Sequence, residues 1–228
     1  GINYTRFDEE LKAKQQAAAD VVKQIKALPA ENKLKVTDAA AVRKAKEAYD
    51  ALEDDTKLLV DNAEKLDVCF NKILELEAQY AEALAEVERF QTLMLEVPET
   101  SEVWQKDGAA ITAARDSYNQ IDKSLQSMVK DLYKQLTAAE KTYQKNEAAG
   151  KKVEALFKKI KVDSVNDLNL SHRKTVEAAQ KALNNLKTDD KKSFVDPDIR
   201  EDIESYSERM QILAAYQKLI QAAEKAVK

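Results

Sequence analysis

The sequence predicts an all-α protein made of three tandem three-helix bundles that share long continuous helices and together form an elongated rod. Three observations favour this architecture. Gly and Pro, which interrupt helices, occur only three times each in 228 residues. Apolar residues recur at spacings of three and four along most of the chain, which is the period of an amphipathic helix. One short amphipathic stretch also occurs three times.

The repeated stretch occupies three places with one shared pattern: residues 42–52, 111–121 and 176–186. Its first residues are 69 apart (111 − 42) and then 65 apart (176 − 111). Such a period indicates one structural unit present three times. We place the three units at residues 1–80, 81–146 and 147–228. A unit this small buries a thin core, so contact with its neighbours should contribute to its stability.

The repeated stretch is predicted to be the short middle helix of each bundle. Tyr49 and Tyr118 occupy equivalent positions on its apolar face and are expected in the core, whereas Arg43 and Lys46 are expected to face water. A side-chain oxygen just ahead of a helix can accept a hydrogen bond from a free N–H group. The residues in that position are Thr37 or Asp38, Asp107 and Ser171.

The first helix is predicted to end at Leu28, because Pro29 disfavours the helical conformation of the residue before it. We expect its apolar stripe to be buried: Phe7, Leu11, Ala18, Val21, Val22, Ile25 and Leu28. After each short helix, a charged turn precedes a small apolar group that should cover the core. The turns are 53–57, 122–124 and 188–190. The apolar groups are 58–60, then Leu125, Met128 and Val129, and finally Phe194 and Val195.

Two helices are long enough to serve two bundles each. The third helix keeps its apolar spacing over about 34 residues, or roughly 50 Å. Its part 66–80 should close the first bundle, and its part 84–94 should open the second. The fifth helix should continue past Gly150 to Ile160. Because Gly costs about 1 kcal/mol relative to Ala inside a helix, we expect a bend or weak turn at Gly150.

The last helix is predicted to begin at Pro197, where the missing N–H does no harm. We expect its apolar stripe to be buried: Ile199, Ile203, Tyr206, Met210, Leu213, Tyr216, Leu219, Ile220 and Ala223. The chain would then hold seven helices. The rival architecture is a single compact up-down bundle. It leaves the long helices and the repeat unexplained.

The charge balance bears on the class of partner. The chain has 37 basic and 41 acidic residues, a net charge of −4, and no basic stripe, which argues against nucleic acid or an anionic membrane as partner. No apolar run reaches the ~20 residues that span a bilayer, so we expect no membrane insertion in this segment. A single Cys excludes an intramolecular disulfide and fits either a reducing cytosol or a Gram-positive cell surface.

Residues 36–76 carry a family resemblance. Its elements are Val-Thr-Asp at 36–38, Ala-Tyr-Asp-Ala-Leu at 48–52, Lys-Leu-Leu-Val-Asp-Asn at 57–62, and the helix that follows. This pattern resembles the tandem helical repeats of large surface proteins and secreted enzymes of Gram-positive bacteria, and the architecture is similar to spectrin repeats. The resemblance implies a stalk or spacer between other modules. It is weaker in the second unit and weakest in the third, where Leu183 replaces the Tyr.

The candidate reactive residues are few. Cys69 lies on an apolar stripe, so a buried structural thiol is favoured over a Cys–His nucleophile pair with His172, which should be a solvated first-turn residue. One Cys and one His do not suffice for a zinc or di-iron site, and no cofactor is expected. The many carboxylates should form solvated faces with i,i+4 partners.

Trp104 is the one candidate contact for a partner, because it lies in a connector rather than on a helix stripe. It could cover the end of the second bundle, or it could be an exposed anchor for a protein or a glycan.

Together with the resemblance, these observations predict a non-enzymatic spacer or stalk of a bacterial cell-surface protein, extracellular and monomeric, in which one face could bind a host or cell-wall protein or glycan. Any signal and anchor are expected outside this segment. The alternatives are an adhesin or ligand-binding helical module, and an intracellular coiled-coil scaffold.

Overall fold

The computed structural model describes residues 4–228, and all regular structure in that range is helical. Segments with apolar residues on one face form the long helices. The α-helices of the described range are α1 (Tyr4–Ala27), α2 (Ala39–Asp50), α3 (Asp54–Lys57), α4 (Ala63–Met94), α5 (Gly108–Gln120), α6 (Lys130–Phe157), α7 (Arg173–Asn184), α8 (Asp189–Lys192) and α9 (Pro197–Ala226), and several of the connectors contain short 3₁₀ turns. The predicted all-α class is confirmed.

The count of helices differs from the seven that were predicted, since residues 4–228 contain nine. The two additional helices, α3 and α8, are single turns at places predicted to be charged turns. Each has two aspartates in its first turn, where negative charge complements the free N–H groups and the helix dipole. The two charged segments were therefore predicted to be turns between helices, although each forms a single helical turn of its own.

The chain divides into two compact units, residues 1–85 and 86–228. In the first unit, α1 packs against α2 and α3. Its core consists of apolar side chains from α1, α2, the start of α4 and the connectors: Ala18, Val21, Ile25, Leu28, Leu34, Val42, Ala45, Val60, Leu66, Cys69 and Ile73. Tyr49 is half-buried and packs against this core rather than lying within it.

In the second unit, α6 packs against α5, α7 and α9, and α7 packs against α9. Buried apolar residues occur along both halves of α6, with Leu136 and Ala139 in the first half and Val153 in the second. Val153 belongs to a core cluster shared with α7 and α9. Tyr118 is half-buried, with its ring 4.5 Å from that of Tyr133 and 5.4 Å from that of Phe90, centroid to centroid. The predicted boundaries at residues 80 and 146 stay predictions.

Buried positions recur with the spacing of the sequence repeat. Leu34, Val103 and Leu168 are 69 (103 − 34) and 65 (168 − 103) apart, and all three are buried. The same holds for two further sets, which are Val42, Ile111 and Val176, and Ala45, Ala114 and Ala179. The three copies therefore present the same apolar positions to a core.

In the first two copies, an aspartate predicted to cap the short helix acts one turn earlier. The backbone N–H of Lys35 donates to the Asp38 carboxylate at 2.8 Å, and that of Trp104 donates to Asp107 at 2.7 Å. In the third copy the N–H of Asn169 donates to Nδ1 of His172 at 3.1 Å. No side chain caps α2, α5 or α7 itself. These acceptors close the 3₁₀ turn that precedes each short helix, which corrects the predicted caps, including Ser171.

Several apolar residues predicted to be buried are exposed. In the apolar group 58–60, Leu58 is 86% exposed and only Val60 is buried, and Met128 is also exposed. At the start of α1 and the end of α9 the apolar stripe continues without cover, so that Phe7 and Tyr216 are each 62% exposed. The other exposed members of those two stripes are Leu11, Leu219, Ile220 and Ala223. Helical periodicity shows which residues share a face of the helix. Side chains on that face are buried only where another segment packs against it.

Gly150 does not interrupt its helix, since α6 is helical without a break from residue 130 to 157. A Cβ atom at this position would collide with the backbone carbonyl of Phe194, whose carbonyl carbon would lie 2.8 Å away. The bend or weak turn predicted at Gly150 stays a prediction. Because Gly has no side chain, the segment that follows α8 can approach α6 closely at this position.

Arg43 does not simply face water, because it joins α2 to α4 in the first unit. Its Nη1 and Nη2 atoms donate to the two carboxylate oxygens of Glu77 at 2.6 and 2.7 Å. Lys46 is likewise engaged, in an ion pair with Asp50 and 5.9 Å from the centroid of the Phe70 ring. Both side chains thus contribute to the packing of the short helix.

We expect this bidentate pair to make Glu77 titrate at unusually low pH. The hydrogen bonds from Arg43 hold the pKa of the Glu77 carboxyl below its ordinary value. Because the folded-state pKa is lowered, the contribution of the pair to stability is present above the ordinary pKa and is lost as the pH falls through the lowered one. A carbon-detected NMR titration should show that the pKa of Glu77 rises toward its ordinary value in Arg43→Gln.

The matched control is Lys44→Gln, which removes one positive charge from an exposed neighbouring position on α2. It should leave the titration of Glu77 nearly unchanged. Equal pKa values of Glu77 in the unmodified chain and in Arg43→Gln would contradict the assigned pair.

Candidate functional site

The residues considered for nucleophilic chemistry have structural partners. Cys69 is buried in the first unit, and its Sγ donates to the carbonyl oxygen of Pro29 at 3.8 Å. Burial raises the pKa of the Cys69 thiol, which disfavours the reactive thiolate. His172 lies in the second unit, half-buried rather than solvated, and Nδ1 accepts the hydrogen bond described above.

Some carboxylates form the predicted i,i+4 ion pairs, such as Glu10 with Arg6 and Glu177 with Arg173. Others pair at i,i+3 spacing or with a residue distant in sequence, as Glu140 does with Arg115. In residues 4–228 no group of three or more His, Cys, Asp or Glu side chains could hold a metal ion. No helix within that range combines the length and the apolar character needed to cross a membrane.

Trp104 lies in the extended connector between α4 and α5, immediately before the 3₁₀ turn Gln105–Asp107. Its backbone N–H is fixed by Asp107, and its side chain is half-buried. The ammonium of Lys106 lies 5.8 Å from the centroid of the indole ring. The indole is therefore neither fully covered nor fully free, and its remaining surface contributes to a cleft.

This cleft, which we call the Trp104 cleft, is formed within the second unit by three segments. They are the connector at residues 101–104, one face of α6 at Thr142, Lys145 and Asn146, and the segment 187–191 that leads into α8. The cleft has a volume of about 720 Å³, within the range of small-molecule sites, which is roughly 300–1,000 Å³.

The walls of the Trp104 cleft are tied together by polar contacts. The side-chain amide of Asn146, which is buried, donates to the carbonyl oxygen of Val103 at 3.3 Å. The backbone N–H of Gln105 donates to Oγ of Ser193 at 2.9 Å, across 88 residues of sequence. Beside them, the rings of Tyr143 and Phe194 meet edge to face with centroids 4.9 Å apart. The connector and the α8 segment are thereby held against the same stretch of α6.

Asp190 is the unusual member of the lining. The residue as a whole is only 5% exposed, but its carboxylate oxygens are not among the buried side-chain atoms of residues 4–228 that lack a hydrogen-bond partner. Its backbone carbonyl oxygen accepts a hydrogen bond from the Ser193 hydroxyl. Its place in the first turn of α8, where negative charge complements the free N–H groups and the helix dipole, accounts for an acidic residue at this position.

Sequence reasoning identified Trp104 but missed Asp190, which was taken as part of a solvated turn. The repeat held the missing signal. The positions equivalent to Asp190 are Thr56 and Leu125, at the same spacings of 69 (125 − 56) and 65 (190 − 125), and both are buried. An alignment of the three copies shows that the third copy carries an Asp at a position where the first two carry uncharged side chains.

A second groove lies between α7 and the middle of α9. It holds about 500 Å³ and is lined by Gln180, Ser207, Met210 and Ala214 among others. Its central polar groups satisfy one another, because the Ser207 hydroxyl donates to Gln180 at 2.7 Å. The Trp104 cleft is the site to which the sequence points, because Trp104 contributes to its lining.

A scan against protein-family models, a search of curated proteins and a search of solved structures each found no match to this chain.

Proposed function

We propose that this chain is a non-enzymatic helical spacer, in which three tandem three-helix bundles share continuous helices and form an elongated rod. The observation that carries the proposal is the threefold recurrence of the same buried positions and of the same turn before each short helix. A repeated unit without a repeated reactive group is typical of a structural array rather than of an enzyme.

The proposed mechanism is mechanical and depends on α4 and α6. They contain 32 and 28 residues, so each is about 40–50 Å long. In the proposal α4 serves the first and second bundles, and α6 serves the second and third. Burial along both halves of α6 supports such sharing. Junctions without linkers would fix neighbouring bundles in orientation and hold distal modules apart.

We further propose that the spacer belongs to an extracellular, monomeric, cell-surface protein, whose partners would be host or cell-wall proteins or glycans. This part rests on the resemblance of residues 36–76 to Gram-positive surface repeats. In cells that make the protein, antibodies against the chain should label intact, unpermeabilised cells. Labelling only after permeabilisation would instead favour the intracellular scaffold.

Small-angle X-ray scattering of the whole chain tests the rod. A compact globule of 228 residues has a radius of gyration of about 17 Å. A rod on the order of 100 Å long would give roughly 30 Å, since its radius of gyration approaches its length divided by √12. A value near the compact limit would refute the rod and favour the single up-down bundle.

A further inference from the structure

We infer that the middle of α6 is a rigid joint, at which the second and third copies of the repeat open and close as one cooperative block. The joint deepens the spacer proposal and rests on it, because a stalk keeps its orientation only if neighbouring units stay together. We call the contacts that form it the α6 clamp. They join residues 103–105 of the second copy and residues 193–194 of the third copy to residues 143–150 of α6.

The clamp contains a direct hydrogen bond between the two copies. The backbone N–H of Gln105, in the connector before α5, donates to Oγ of Ser193 at 2.9 Å. The Ser193 hydroxyl in turn donates to the backbone carbonyl oxygen of Asp190 at 2.5 Å. Ser193 therefore uses both its donor and its acceptor to tie the α8 turn of the third copy to the connector of the second.

Both segments are also held against α6. The Tyr143 hydroxyl donates to the carbonyl oxygen of Gln105 at 3.3 Å. The Tyr143 ring meets that of Phe194 edge to face, with centroids 4.9 Å apart. One turn further along α6, the buried amide of Asn146 donates to the carbonyl oxygen of Val103 at 3.3 Å. Tyr143 thus contacts segments of both copies at once.

The bare backbone at Gly150 brings the third copy close to α6. A Cβ atom there would lie 2.8 Å from the carbonyl carbon of Phe194, which leaves no room for a side chain. Phe194 and Val195 are 8% and 1% exposed, so the segment after α8 is packed at this place and does not merely pass by. The clamp therefore combines hydrogen bonds with close packing.

The clamp is a departure from the repeat. The first buried residues of α4, α6 and α9 are Leu66, Leu136 and Ile203. Ten and fourteen residues further on, α6 carries Asn146 (146 − 136) and Gly150 (150 − 136). The residues at the same two distances are Leu76 and Tyr80 in α4, and Leu213 and Gln217 in α9. Among these three helices a buried amide and a glycine occur together in α6 alone, which indicates a specific role at this joint.

A shared helix with contacts on both sides couples the two copies. Opening of the third copy removes Phe194 and Ser193 from the joint, so that Tyr143 loses its ring contact and Gln105 its acceptor. Each copy is also small and buries a thin core, so it depends on its neighbour for stability. Residues 86–228 accordingly pack as one compact unit. Neither copy is therefore expected to stay folded when the other opens.

Native-state hydrogen exchange of the whole chain, followed by NMR, tests the joint. The reporters are the slowest-exchanging backbone amides of α5 and α7, the short helices of the second and third copies. If the copies form one block, both sets of amides exchange through a single opening reaction. We therefore expect equal protection and equal dependence on urea in the unmodified chain.

The decisive variant is Ser207→Ala, which removes the hydrogen bond to Gln180 between α9 and α7, within the third copy. A lost hydrogen bond changes an opening equilibrium by roughly fivefold, and in one block the protection of α5 falls by as much as that of α7. Ser193→Ala, which removes the bond from Gln105, should also lower the protection of both helices. Ser205→Ala is the matched control, since Ser205 is exposed on α9, and it should change neither.

Two results would overturn the inference. If Ser207→Ala lowers the protection of α7 and leaves α5 unchanged, or if the two helices already differ in the unmodified chain, the copies open independently. If Ser193→Ala leaves α5 unchanged, the clamp does not join them. The spacer proposal is decided separately by scattering, because a rod whose copies open independently keeps its large radius of gyration, and a compact chain can still open as one block.

Discussion

Replacement of Phe90 by Ala should destabilise the second unit by about 3–5 kcal/mol. Phe90 lies on the part of α4 that belongs to this unit and is among its largest fully buried side chains. Its ring packs edge to face on Tyr118, with centroids 5.4 Å apart. The substitution removes buried apolar surface and leaves a cavity that the surrounding helices fill only in part. Urea unfolding followed by Trp104 fluorescence measures the loss, because Trp104 lies in the same unit.

Leu95→Ala provides the control, since Leu95 is nearby in sequence but 82% exposed. Its effect should stay within about 0.5 kcal/mol. A Phe90→Ala chain whose urea transition matches that of Leu95→Ala would show that Phe90 is not part of a packed core. Far-ultraviolet circular dichroism in the same titration would show whether the first unit unfolds separately.

The Gly150→Ala chain should be less stable than the unmodified one, although Ala is the better helix former by about 1 kcal/mol. The added Cβ would meet the backbone carbonyl of Phe194. A backbone group cannot rotate aside as a side chain can, so α6 and the segment after α8 would have to separate. We expect a net loss of roughly 1–3 kcal/mol, which is typical of overpacking. Thermal unfolding monitored by Trp104 fluorescence measures it.

Gly108→Ala is the matched control in the same unit. There the added Cβ would lie 2.5 Å from the hydroxyl oxygen of Tyr143, which is a side-chain atom that can move. Its cost should therefore be clearly smaller than that of Gly150→Ala. If Gly150→Ala instead stabilised the chain, the close approach of Phe194 to α6 would be wrong and the predicted weak turn would gain support.

Local signals in the sequence predicted the helical elements well. The apolar period predicted that Val42, Ile111 and Val176 each lie on the buried face of a short helix, and all three are buried. The start of the last helix at Pro197 was also predicted correctly. These features depend on neighbours within one or two turns, so they can be read directly from a short window. The same window could not show that Asp54 and Asp189 begin helical turns of their own.

The candidate site was only half predictable. Trp104 stood out because an aromatic residue in a connector has no helix stripe to account for it. Asp190 did not stand out, because an aspartate in a turn is usually solvated. The helical turn that carries it packs against α6, which lies far from it in sequence. Comparison of the three copies was the one route from sequence to Asp190.

By itself the sequence determined the all-helical class, the repeat period and the faces that share apolar residues, because each follows from the chemistry of nearby residues. Only the tertiary structure decided which faces find a neighbour, so that Ile25 is buried whereas Phe7 on the same stripe is exposed. It also decided the role of Gly150, which depends on a residue 44 positions away (194 − 150). Contacts between distant segments arise from packing, and neither helical periodicity nor composition records them.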